Sequence, residues 1–399
     1  MTPYETAFAG LFGAGYQAFS FWKARVALYA IIKALDLKQD AEVILPGYTC
    51  VVVPNAIRFA GARPVYADIA SGQYNLSAGT AERLIRPQTQ AVVVQHTYGI
   101  PAGLDALGSL ADAHRMALIE DCAHVLPGSR YQGKLLGSFG KAAFFSFQWS
   151  KPYTTGLGGM VVTRDANLAR KLKDIQASFR APPLGKTTQL QIQYRLYHHL
   201  FKPSLYWCAR TALGMSARLG LFVGSSNATE LTGHEPPDLR WRMSNFQQRL
   251  GLTELKRIEN GTYHQQGLVK YYTDSLRQHG WPLERGIDST TRLLRFPIRV
   301  ANKVKLLEES RRANIELGSW FETPLHPLLL SQHSLVDFRL GSCPVAEFTA
   351  ATAINLPLHN RVSQADAEKI VEFIVARAKP VATRASKRKV KSTRAPALS

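Results

Sequence analysis

The stretch 141–164, KAAFFSFQWSKPYTTGLGGMVVTR, limits the folds open to this chain more than any other. Residues 142–147 are small, aromatic and apolar, and 159–163 resume a β-prone run, so each reads as a strand. Between them Pro152, Gly156, Gly158 and Gly159 mark a tight turn. Both runs are too continuously apolar for surface strands, which sets the turn and its one lysine, Lys151, beside a core. A lysine on a solvated turn carries no chemistry. A desolvated amine loses proton affinity and becomes a nucleophile, the property required of a Schiff-base lysine.

Upstream, 117–124 (ALIEDCAH) reads as a second buried strand ending in a carboxylate, Asp121. Ligands of open α/β sheets bind beyond the carboxyl ends of the strands. A carboxylate at such an end, followed by a polar turn and a buried lysine, suggests pyridoxal 5'-phosphate: Lys151 would hold it covalently, and Asp121 would keep its pyridine nitrogen protonated so that the ring draws electrons.

Six segments then occur in a diagnostic order: 47–69 (GYTCVVVPNAIRFAGARPVYADI), 96–107 (HTYGIPAGLDAL), 119–124 (IEDCAH), 137–163 (GSFGKAAFFSFQWSKPYTTGLGGMVVT), 240–258 (RWRMSNFQQRLGLTELKRI) and 343–370 (CPVAEFTAATAINLPLHNRVSQADAEKI). From about residue 21 to 378 the chain resembles the DegT/DnrJ/EryC1/StrS aminotransferases. The resemblance implies an α/β fold of the fold-type-I pyridoxal-phosphate class, with a mainly parallel sheet in a large domain and a smaller C-terminal α/β domain. It also implies transamination, from an amino acid such as glutamate to a keto-sugar carried on a nucleotide, by a homodimer with shared active sites.

Residue by residue, the resemblance makes Lys151 and Asp121 catalytic and assigns Ser146 to the cofactor phosphate and His124 to its ring. Thr49 and Cys50 fall where relatives have threonine and an aromatic ring, and Cys50 departs from that pattern. Ala24 and Arg25 replace a Gly-Thr that meets the phosphate at a helix N-terminus; Arg25 either adds a cation there or is an ordinary helix residue. Leu157 stands where many relatives carry glutamate. Arg240 replaces an asparagine that reaches across the dimer to the neighbouring phosphate, a role a guanidinium can serve; the other reading is a surface arginine. His326 falls near a histidine at the substrate mouth.

In order, the chain alternates helix and strand. A helix is expected over 21–37, where Phe21, Arg25, Leu28, Tyr29, Ile32 and Leu35 share a face, and strands over 43–49, 64–69 and 91–96. Helices follow at 104–114, 168–175, 246–258 and 263–276, a strand at 293–300, and a last helix capped by Ser363 and Asp366. We divide the chain into a pyridoxal-phosphate domain at 1–245, a small domain with linking helices at 246–378 and a basic tail at 379–399. Residues 187–223 mix aromatic, aliphatic and basic groups, among them Tyr194, Tyr197, Trp207, Arg195 and Lys202. They read as helices over the site or dimer contact, or as an interfacial amphipathic helix near a lipid-linked substrate.

The formal charge is +20, and removing the seven basic residues of the tail leaves +13. Such an excess suits an anionic ligand such as a nucleotide diphosphate, but also nucleic acid or an anionic membrane. The tail has too little apolar surface to pack and is expected to be disordered. Without a signal peptide or a long uncharged apolar run, the chain is read as cytoplasmic, with peripheral membrane contact as an option. Cys50, Cys122, Cys208 and Cys343 lack zinc-site spacing and read as free thiols. Two rivals remain. A dehydratase or lyase of the same family would carry histidine in place of Lys151, and a nucleic-acid-binding regulator would need a motif that the body lacks.

Overall fold

The computed structural model describes residues 1–149, 151, 153–200, 211, 223–224 and 228–381. Pro152, Cys208, the part of 187–223 beyond residue 200 other than 211 and 223, and the tail from residue 382 lie outside the described residues.

The strands are β1 Gln17–Phe21, β2 Glu42–Pro46, β3 Arg63–Ala67, β4 Thr89–Gln95, β5 Ala117–Cys122, β6 Ala142–Ser146 and β7 Gly159–Thr163. They form one seven-stranded sheet in the order β1-β7-β6-β5-β4-β2-β3. Only β7 runs against its neighbours, so the sheet is the mainly parallel one expected. Helices cover both faces. On one, Val26, Leu28, Ile31 and Ile32 of the helix Ala24–Ala34 pack on Val43, Val93, Ile119 and Phe144. On the other, Phe8 of the helix Pro3–Gly10 and Leu104 and Leu107 of Leu104–Ala113 meet Val92, Val94 and Phe145. Burial on both faces is why these strands read as continuous apolar runs.

Two expected elements are corrected. Phe21 belongs to β1, opposite Gly159, and not to the first helix. The alternation of QAFSF pairs with β7, and the chain stays extended through Lys23 (φ −144°, ψ 160°) before the helix begins at Ala24. The run 43–49 breaks after Pro46, where Gly47 lies so close to Cys343 that a Cβ would meet Sγ at 2.5 Å. Thr49 and Cys50 then pair in parallel with Leu325 and His326, away from the main sheet.

The C-terminal half has its own core. β8 (Phe296–Arg299) pairs antiparallel with β9 (Ala353–Leu356), and Tyr272, Leu276, Leu306, Ile370 and Ile374 pack on this ribbon. The final helix, Gln364–Arg377, has the expected capping box: Ser363 Oγ accepts from Asp366 N at 3.1 Å and Ser363 N donates back at 3.0 Å. Tyr48, Val51, Tyr74 and Tyr98 from the first half join this core, so the two halves share a buried seam. No helix among the described residues is long and apolar enough to cross a membrane.

Candidate active site

Strand register assembles the site. Asp121 lies near the carboxyl end of its strand, beside Gln95 on one neighbouring strand and Phe144 on the other, and the three line one cavity of about 340 Å³. Successive strand residues face opposite ways. Asp121 therefore opens to the cavity, while Glu120 faces away and accepts the backbone N–H groups of Gly137, Phe139 and Gly140 at 2.6–2.8 Å. That bonding clamps the end of β5. The remaining walls are Lys23, Ala24, Arg25, Cys50, His124, Ser146, Lys151, Leu157, Trp320, Phe321 and His326, among others.

Lys151 is 8% exposed, and Nζ donates to Ala123 O at 2.5 Å. Burial first, and then the nearby Arg295 guanidinium, lower its pKa to about 7. Lys151 is thus a buried amine of lowered proton affinity on the cavity wall. Asp121 is 2% exposed, and its carboxylate accepts one described hydrogen bond, from Ala123 N at 2.9 Å. Burial raises its carboxyl to about 6, against the opposing pull of that N–H and of Lys151.

His124 has a fixed tautomer. Tyr98 N donates to Nδ1 at 3.0 Å, so Nδ1 is the acceptor and the ring proton sits on Nε2. Burial, reinforced by Lys151, holds its pKa well below the ordinary histidine value, so the imidazole is neutral. The ring stacks on Trp320 at 4.8 Å and on Phe321 at 5.7 Å. His326 arrives through the Thr49–Cys50 bridge, and burial lowers it to about 4.

On another part of the cavity wall, the helix Ala24–Ala34 starts without a side-chain cap. Its first-turn N–H groups have no side-chain acceptor there, the usual setting for a phosphate. Gly159 permits this approach, because a Cβ there would stand 2.6 Å from Ala24 N. Lys23 and Arg25 add two buried cations, each with a counter-ion: Lys23 with Asp238 at 2.6 Å, and Arg25 with Glu230. Arg25 is accordingly no surface residue.

The other expected site residues divide. Ala24, Cys50 and Ser146 line the cavity. Thr49 does not; its hydroxyl donates to Gln95 Oε1 at 2.6 Å, and Gln95 is the group that faces inward. Arg240 lies outside this cavity, on the surface, with Glu235 at 2.9 Å. Leu157, in the glutamate position of relatives, packs with Trp22, Trp149 and Leu190. The helix Leu184–Leu200 thereby lies over the site, since its Tyr194 and Tyr197 also meet Trp149. Sequence reasoning missed Trp320, Phe321, Gln95, Lys23 and Arg295; the first two occupy an irregular loop, SWFETP, whose only trace in the sequence is two adjacent exposed-looking aromatics.

A buried amine of lowered pKa and a buried carboxylate in one cavity, with an uncapped helix start on its wall, fit pyridoxal phosphate. Its phosphate suits the helix start, and its cationic pyridinium would satisfy a carboxylate now held at an unfavourable pKa. The site and fold define a fold-type-I pyridoxal-phosphate enzyme. The profile of the DegT/DnrJ/EryC1/StrS aminotransferase family matches residues 1–202 and 208–375, so the chain belongs to that family and is a pyridoxal-phosphate-dependent aminotransferase. GDP-perosamine synthase of Caulobacter vibrioides is 26% identical over 379 residues, covering 93% of this chain and 88% of that protein. DesV of S. venezuelae superimposes with a TM-score of 0.72 at 23% identity, over 94% of this chain and 89% of that one. The E. coli GDP-4-keto-6-deoxy-D-mannose-3-dehydratase with bound hydrated PLP does so at 0.67 and 18%, over 93% and 90%. Both structural likenesses establish the fold.

Proposed function

We propose that this aminotransferase moves the amino group of an amino acid, with glutamate as donor, to the ketone of a nucleotide-linked sugar, in amino-sugar or cell-surface polysaccharide synthesis. The observation that carries the reading is Lys151: a buried amine with a pKa of about 7, in one cavity with Asp121. Pyridoxal phosphate, when bound, supplies a ring that withdraws electrons from the reacting nitrogen and acidifies the adjacent C–H. Lys151 holds the cofactor and, when released, takes up and returns a proton near neutral pH, where an amine of that pKa is poised for both roles. Asp121 keeps a proton on the ring nitrogen. His124 offers its Nε2 proton to the cavity, and Trp320 and Phe321 limit water. Residues 1–245 hold the cofactor, and 246–378 bring Trp320, Phe321 and His326 onto it. The nucleotide-linked acceptor draws support from the family and from the similarity to GDP-perosamine synthase. The test is transfer from glutamate to a panel of nucleotide-linked keto-sugars: 2-oxoglutarate should accumulate only when such a ketone is supplied, and failure with every member overturns this acceptor class.

The active form on this reading is a homodimer in which Arg240 of each chain serves the other chain's cofactor. Its exposure and its absence from its own cavity support that role. Mixing Lys151→Ala with Arg240→Ala subunits should place both lesions in one site and leave the other intact. Part of the activity should return on mixing; no recovery, with heterodimers shown to form, overturns the sharing.

A further inference from the structure

The helix start on the cavity wall holds four charges that cancel. Lys23 and Arg25 line the cavity. Lys23 is bound to Asp238 at 2.6 Å and Arg25 to Glu230, and all four side chains are buried. Each carboxylate residue is itself anchored: Trp22 Nε1 donates to Asp238 Oδ2 at 3.2 Å, and Asn55 Nδ2 donates to the Glu230 carbonyl at 2.9 Å. The two cations are thus neutralised in place. Buried pairs of this kind are little screened by salt, and breaking one is costly.

A phosphate monoester brings close to two negative charges at neutral pH. At this helix start it meets backbone N–H groups without a side-chain cap, but no net positive charge from the side chains. It must share each cation with a carboxylate or displace that carboxylate. In a buried cluster, repulsion between the anions then offsets much of the attraction to the cations. A phosphate received in this way is held weakly, whereas covalent attachment through Lys151 does not depend on that balance.

We infer that Asp238 and Glu230 compete with the cofactor phosphate for Lys23 and Arg25, so that this chain retains its cofactor chiefly through Lys151 and exchanges it once that bond opens. The inference rests on pyridoxal phosphate lying with its phosphate at the helix start. Without cofactor, the same carboxylates spare the protein two unpaired buried cations.

The test titrates cofactor-free protein with pyridoxal phosphate and with 5'-deoxypyridoxal, which lacks the phosphate, and follows the visible absorbance of the bound compound. In wild type the two dissociation constants should lie within about 10-fold of each other. Glu230→Gln is the cleaner variant, because a guanidinium keeps its charge. Lys23, whose pKa burial and then Arg25 already lower, sheds its proton more readily once Asp238 is gone. Glu230→Gln should bind pyridoxal phosphate roughly 10-fold more tightly and 5'-deoxypyridoxal within about threefold of wild type. Its melting temperature without cofactor should fall, and inorganic phosphate should raise it by more than it raises that of wild type. Asp238→Asn, titrated below neutral pH to keep Lys23 charged, should shift the pyridoxal phosphate affinity in the same direction. If Glu230→Gln does not fold, that variant and the wild-type comparison decide. Unchanged or weaker binding of pyridoxal phosphate in the variants, or a wild-type preference for it over 5'-deoxypyridoxal of about 100-fold or more, overturns the competition and leaves the cofactor reading standing. Wild-type protein that binds neither compound overturns the cofactor reading, and this inference with it.

Discussion

Lys151→Ala should lower turnover by roughly 10⁴-fold or more, because one residue supplies both covalent attachment and proton transfer. Among the described residues no other amine can substitute: Lys23 is the other lysine on the cavity wall, and it is bound to Asp238 at the helix start. Stability should move the opposite way. A lysine whose folded pKa is about 7 instead of 10.5 binds fewer protons folded than unfolded between those values. Its contribution is full above 10.5 and is lost as pH falls through 7. Without cofactor, the alanine variant should therefore melt no lower than wild type at pH 7, and any advantage should fade as pH rises toward 10.5. Near-wild-type turnover would show that Lys151 is not the reacting amine. A melting temperature well below wild type at pH 7 would contradict the burial argument.

Asp121→Asn should still bind the cofactor yet lose about 10²- to 10⁴-fold in turnover. The uncapped helix start and Lys151 remain to hold the group, while the proton on the ring nitrogen loses its anionic partner. The pH dependence has a checkable sign. A carboxyl with its pKa raised from 3.8 to about 6 favours the folded state below 3.8, and that benefit is lost as pH rises through 6. The asparagine variant without cofactor should lack this fall in stability between pH 4 and 6. If it turned over like wild type, Asp121 would be a structural residue.

Much of this site could be read from the sequence, for identifiable reasons. Asp121 sits near the end of a strand buried on both faces and Lys151 in the turn between two more, and continuous apolar runs expose such strands in any sequence. The last helix was legible because a capping box is local. Phe21 was misplaced because an i, i+4 match to Arg25 resembles helical spacing, whereas its antiparallel pairing with Gly159 lies 138 residues away in the chain. Distance along the chain also hid the counter-ions: Glu230 and Asp238 neutralise Arg25 and Lys23 but follow them far along the sequence, beyond the helix Leu184–Leu200.

The central claim is that Lys151 is the residue that holds the cofactor, and covalent trapping tests it most directly. The purified protein should be incubated with pyridoxal phosphate, reduced with borohydride, digested, and mapped by mass. The account predicts one modified peptide, with the adduct on Lys151, and none in Lys151→Ala. Absence of an adduct in wild type, or an adduct on another lysine with Lys151 unmodified, would contradict it.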